Sequence, residues 1–135
     1  MAKSSQRQFL VKVSGIDGYF MTKSGGNISA DTTKVYDGGE EVPDVLASPP
    51  EADNVTCSRG YDYNRDGALL RSLRRQVGRF SATVSVTPTD RDLIASGDPT
   101  VYPKALLVGL TEPDVDASSG DVSTFELEFA VGAFR

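Results

Sequence analysis

The chain has 135 residues, with 14 Lys and Arg against 19 Asp and Glu, a net charge of −5 and no histidine. That length allows one domain with one core, and 39% apolar with 24% charged residues is a globular rather than a disordered composition. The negative charge argues against a basic nucleic-acid-binding face, no apolar run approaches the roughly 20 residues that cross a bilayer, and the missing histidine removes Ser-His and Cys-His pairs together with the commonest transition-metal ligand.

Residues 1–8 contain no apolar stretch of the kind a secretory leader carries and are expected to form an N-terminal arm of a chain that folds in the cytoplasm. Gln8 to Ser14 alternates, with Phe9, Val11 and Val13 on one side, and predicts a half-buried strand. Turns follow at Gly15 to Gly18 and Ser24 to Asn27, with extended structure between them from Tyr19 to Thr22. Ile28 to Tyr36 is a longer alternating segment rich in Thr and β-branched residues. Residues 37–53 carry Gly38, Gly39, Pro43, Pro49 and Pro50 and predict a long loop, of the kind that serves as an interaction arm.

Val55 to Arg59 predicts another strand and makes the lone Cys57 a small buried core residue. A helix is expected over Asp66 to Val77, where Leu69, Leu70, Leu73 and Val77 share one face and Gly78 stands as a natural stop. Strands are expected over Arg79 to Thr87 and Thr100 to Leu110, with Pro103 marking an edge or a bulge in the second. The cleanest strand is Val122 to Val131, with Phe125, Leu127, Phe129 and Val131 inward and Thr124, Glu126, Glu128 and Ala130 outward. Together these elements predict one mainly β domain over residues 1–135, an antiparallel β-sandwich or barrel with one short α-helix and a long hairpin loop.

Few constellations point to chemistry. Asp62, Asn64 and Asp66, with Gly67, match the first half of a calcium loop. The twelfth position is Leu73 instead of a bidentate glutamate, and Arg65 sits inside the loop, so a polar turn capping the helix is the favoured reading. Asp114, Asp116 and Asp121 form an acidic turn whose glycine is misplaced for the same motif. Glu126 and Glu128 are ordinary exposed strand glutamates as far as acid–base chemistry goes. No enzyme activity, cofactor or metal is expected. The charge is segregated, however: residues 37–53 are acidic without a base, and residues 59–79 hold six arginines against two aspartates. Such segregation can mark complementary surfaces.

The order of features resembles that of bacteriophage tail tube proteins and the tubes of related contractile injection systems. Phe9-Leu10-Val11-Lys12-Val13-Ser14-Gly15 is similar to the opening strand of that family. Tyr36-Asp37-Gly38-Gly39 with the Pro-containing segment after it resembles the long hairpin loop, and Asn54-Val55-Thr56-Cys57-Ser58-Arg59-Gly60 resembles the strand that closes the hairpin. A short helix from Ala68 to Gln76, a strand ending near Thr87-Pro88-Thr89-Asp90, a Tyr102-Pro103-Lys104-Ala105 segment and an acidic last strand complete the order. Many relatives have a tryptophan in the helix; here Leu70 and Leu73 would fill that space.

The resemblance implies a structural virion protein that forms hexameric rings, stacked head to tail into a tube through which DNA passes without sequence-specific binding. The implied partners are other copies of the chain, tape-measure, baseplate or tail-tip and tail-terminator proteins, and a sheath protein if the tail is contractile, with no membrane binding by the chain itself. The implied location is the virion tail, assembled in the bacterial host cytoplasm. Stacking candidates are Asp37, Glu40, Glu41, Val42, Asp44, Val45 and Leu46 against Arg71, Arg74 and Arg75. Glu126 and Glu128 are candidates for the channel wall, because acidic walls repel phosphates. The alternative is a monomeric β-sandwich binding or decoration module that exposes an aromatic patch drawn from Tyr19, Tyr61, Tyr63 and Tyr102.

Overall fold

The computed structural model describes residues 5, 8–39, 41–113, 115, 118, 120 and 122–132. Most of the expected N-terminal arm 1–8, Glu40, and Asp114, Asp116 and Asp121 of the acidic turn therefore lie outside the described residues. In chain order the elements are β1 (Phe9–Val13), β2 (Thr22–Gly25), β3 (Ile28–Ser29), β4 (Thr32–Val35), β5 (Asp44–Ala47), β6 (Glu51–Ala52), β7 (Val55–Gly60), α1 (Tyr63–Arg74), β8 (Ser81–Pro88), β9 (Thr100–Thr111) and β10 (Thr124–Ala130). Among the described residues the chain is mainly β with one helix, as expected. Its body is a six-stranded antiparallel sheet in the order β1-β8-β9-β10-β7-β2, curled into a half-barrel.

The curl has two sources. β9 is long enough to pair with β8 through Thr100–Leu106 and with β10 through Leu106–Thr111, so neighbouring strands are staggered along it. Each pairing is also broken by an extra residue. Thr83 of β8 faces both Pro103 and Lys104, and Val108 is extra between Glu128 and Phe129 of β10. Such bulges bend a strand and sharpen its twist. Pro103 thus marks a bulge on a central strand, and it is not at an edge.

The edges are drawn together at one end of the sheet. The Phe20 N–H donates to Val11 O at 2.8 Å, and the Met21 N–H donates to Ser58 O at 2.9 Å, so two successive residues reach from β1 to β7. Inside the curl lie Val11, Val13, Val55, Cys57, Val84, Tyr102, Leu107, Phe125, Leu127 and Phe129, all buried, with Phe20 edge-on to Phe125 at 6.2 Å. The alternation expected for the last strand holds at Phe125, Leu127 and Phe129. Burial pushes the Cys57 thiol up to about 12, against a smaller lowering by the Lys23 charge.

Two expectations need correction. The segment 37–53 is not an irregular loop. β4 pairs with β5, Thr32 opposite Ala47 through Val35 opposite Asp44, and β3 pairs with β6, Ile28 opposite Ala52. Residues 28–39 and 41–52 therefore form a two-stranded arm, with 36–39 and 41–43 at its tip. The apolar pattern could not show this, because every residue of β4 and β5 is exposed. The helix also starts three residues before Asp66 and stops at Arg74. Asp62 is its N-cap, accepting the Asn64 N–H, while Val77 lies beyond the helix and is 40% exposed. Leu70 and Leu73 are the buried apolar residues of the helix.

Lys104 adopts a φ of 56° at the first bulge, a conformation that is costly for branched side chains. Lys104→Val should lower the unfolding free energy measured by urea titration by about 1–2 kcal/mol. Lys104→Gly should be neutral or stabilising.

Candidate functional site

Three regions gather the candidate residues: the arm, the helix with the segments beside it, and the sheet face turned away from the core. The arm leaves the body where β2 ends at Gly25 and β7 begins at Val55, residues that are paired with each other. Gly26 has a φ of +75° at this root, and a Cβ there would lie 2.7 Å from the Tyr102 hydroxyl. Tyr102 thus packs against the backbone as it turns out of the sheet, and only glycine leaves it room. Along the arm, Glu41, Val42, Asp44, Val45 and Leu46 are all exposed, and Asp37 precedes the Gly38–Gly39 turn at the tip. Leu46 shares a face with Thr33, and Val45 shares the other face with Lys34. Both faces are bare, and a lone two-stranded ribbon is only marginally stable in water.

The helix starts at the other end of β7, after Gly60. Six residues of strand separate the two, about 20 Å of extended chain. The sequence thus places its acidic arm and its arginine-rich helix at opposite ends of one strand. Arg71, Arg74 and Arg75 are exposed on the outer side of α1, and Arg74 Nε pairs with Glu112 at 2.8 Å.

Arg59 and Arg65, counted with that basic segment in the sequence, play a different part. Arg59 is 1% exposed and lies inside the half-barrel. Its guanidinium donates to Asp66 Oδ1 at 2.5 Å and to the Asp17 carbonyl at 2.6 Å, and sits over the rings of Phe20 and Phe125 at 4.7 and 5.5 Å. Arg65 grips the same carboxylate from outside, through Nε and the guanidinium tip at 3.1 Å each. Gly18, with a φ of +81°, passes so close that a Cβ would stand 3.1 Å from the Arg59 guanidinium. Of the calcium-loop residues, Asp62 caps the helix, Asn64 supplies the capped N–H, and Asp66 is committed to two arginines. Burial opposes ionisation of Asp66, but hydrogen bonds from Arg65, the Asp62 backbone and Arg59 outweigh it and hold the carboxyl below its usual range. Sequence reasoning missed this cluster. Its signal was a charge at a core position in two patterns: Arg59 after Val55 and Cys57 on β7, and Asp66 before Leu70 and Leu73 on α1.

Glu126 and Glu128 project from β10 on the side away from the core, beside Ser58 and Thr111 and beside Thr56 and Gly109 respectively. Asn54 Nδ2 donates to Glu128 at 3.0 Å, and the hydroxyls of Thr22 and Ser58 bond to each other nearby. Ser81, Thr83 and Ser85 continue this small, hydroxyl-rich surface on β8, while Lys12 folds back to the carbonyls of Ile16 and Gly18. Of the tyrosines that an aromatic docking patch would need, Tyr102 is buried in the core and Tyr61 is only 36% exposed.

No family model and no curated protein matches the chain. Solved structures do. A chain of the anti-feeding prophage cap, described as its tube-terminating cap, superposes with a TM-score of 0.81 at 19% identity, over 100% of this chain and 91% of that one. A chain of the sheath–tube complex of an extracellular contractile injection system, in the extended state, gives 0.78 at 20% identity over 98% and 90%. A chain of the anti-feeding prophage baseplate gives 0.77 at 23% over 100% and 95%.

If the Arg59–Asp66 pair holds the core end together, Asp66→Asn and Arg59→Leu should each cost about 3–5 kcal/mol in urea unfolding, and the double variant less than their sum. The Asp66 contribution is complete above the unfolded carboxyl value of about 3.9. It is lost as pH falls through the lower folded value, so stability should fall less steeply with acid in Asp66→Asn than in the wild type, measured by urea unfolding across about pH 2–6.

At these identities the likeness carries the fold: the chain shares the fold of chains found in the prophage cap and baseplate and in an extracellular contractile injection system, in keeping with the resemblance read from its motifs.

Proposed function

We propose that this chain is a structural, non-enzymatic subunit of a phage-like tail, closing into hexameric rings that stack head to tail as a tube through which DNA passes. The observation that carries this reading is the placement of a bare acidic arm at one end of β7 and an arginine-bearing helix at the other. A subunit with unlike, complementary ends joins its copies in one direction and can repeat that contact without limit. β1 and β2 are the terminal strands of the sheet, and terminal strands offer backbone groups to a neighbouring chain, which is how a ring would close. The tail-tube-type fold supports the same reading, as do the cap, baseplate and sheath–tube assemblies in which its likenesses occur.

The energetics suit repetition. A single exposed ion pair is worth about 0–1 kcal/mol, so Asp37, Glu41 and Asp44 set register against Arg71, Arg74 and Arg75, while Val42, Val45 and Leu46 bury apolar area. Six such contacts per ring act together, because the first to form holds the others at high effective concentration. The face with Glu126, Glu128 and the hydroxyls is the proposed lumen wall, small, polar and acidic, to which a phosphate backbone does not adhere. Baseplate, terminator and tape-measure proteins, and a sheath where one exists, are the proposed partners, in a tail assembled in the host cytoplasm.

Purified protein at high concentration should show rings or tubes in electron micrographs, and a persistent monomer in sedimentation would overturn the reading. Glu41→Lys with Asp44→Lys should leave rings and cut tube length several-fold. Glu126→Lys with Glu128→Lys should preserve tubes and raise their affinity for DNA by about tenfold at low salt. Cryo-EM that put both glutamates on the outer wall would remove them from the lumen.

A further inference from the structure

Beside the helix, next to two of its exposed arginines, is a cleft. Tyr61, Leu70, Pro113 and Val115 give it apolar walls, and Arg71 and Arg74 stand along its rim. Val115 is 96% exposed at its edge, an aliphatic side chain with almost nothing covering it. Glu112 occupies the same rim and pairs with Arg74, an ion pair whose members are 51% and 62% exposed. Contacts that open to water are weak and exchange readily.

The arm tip is the complementary object. Val42, 77% exposed, stands between Glu41 and Asp44, one aliphatic side chain flanked by two carboxylates, as the cleft has an apolar floor flanked by two guanidiniums. The two cannot meet easily within one chain, because they leave opposite ends of β7. We propose that this cleft is the seat for the arm tip of a second copy, with Val42 entering between Tyr61 and Val115 and Glu41 and Asp44 meeting Arg71 and Arg74. Glu112 is then a placeholder: it neutralises Arg74 in the free subunit and yields it when the arm of the next copy arrives. This rests on the stacked-tube reading and adds the residue that fills the seat and the pair that is exchanged.

Cross-linking tests it cleanly, since the native Cys57 is fully buried and does not compete. Val42→Cys with Val115→Cys, both at exposed positions, should give a ladder of disulfide-linked multimers on mild oxidation of assembled protein, and neither single variant should. Glu112→Gln, which frees Arg74 in advance, should speed tube growth several-fold without changing ring formation. Tubes that form normally from the double-cysteine variant without a ladder would overturn the seat and leave stacking intact. A wild-type chain that forms no tubes at all would overturn both. If the cysteine pair itself blocks assembly, a charge exchange decides: Asp44→Arg and Arg74→Asp should each shorten tubes several-fold, and together restore them. Failure to restore overturns the seat.

Discussion

The end of the half-barrel from which the helix springs is organised around one guanidinium. Arg59 lies where alternation along β7 calls for an apolar side chain, and it is tolerable there only because each neighbour answers it: the Asp66 carboxylate, the Asp17 carbonyl and two aromatic faces. Those partners come from the turn after β1, from α1, from the Phe20 crossing and from β10, so a single side chain ties four segments together. Removing it would leave the buried Asp66 carboxylate to Arg65 and the Asp62 N–H alone and cut the tie between α1 and the turn after β1. A buried pair of this kind contributes less to net stability than to the choice of one arrangement, since an apolar pair of similar volume could also fill the space.

The arm shows the opposite economy. Every residue of β4 and β5 is exposed, and the pairing between them depends on their own hydrogen bonds and on whatever covers them. Its root, by contrast, is fixed: Gly26 lies against Tyr102, and Asn54 is held by Glu128 and by the Gly26 N–H. A rigid pivot with an uncovered blade sets the direction of the arm more firmly than its shape, which suits a part that takes its final form on a neighbour.

How much of this could be read from the sequence depended on whether a residue's surroundings lay nearby in the chain. The alternation of Phe125, Leu127 and Phe129 announced a half-buried strand because the core is the one environment that pattern can match. The arm gave no such sign: with both faces in water its residues alternate against nothing, and Pro43, Pro49 and Pro50 hid the strand between them, β5. The helix start was missed because Asp66 occupies a core-facing turn that hydrophobic periodicity skips. The Arg59–Asp66 pair was visible in principle, as opposite charges each standing in an inward series. Recognising it required knowing that β7 and α1 converge, and that is a property of the fold. The Asp62–Gly67 segment looked like a cation loop for the same reason: carboxylates are legible in sequence, and the arginines that engage them are not.

The placement of arm and cleft at opposite ends of a single strand has a further consequence. A subunit built this way carries an arrow, and any stack of such subunits keeps it. In the proposed stack one terminus would present empty clefts and the other free arms, two chemically unlike surfaces. A starting platform and a stopping cap would then have to be different proteins, each shaped to one half of the same contact, and neither could bind at the wrong end. Growth from a platform would proceed in one sense only, with the direction written into where one hairpin leaves its sheet.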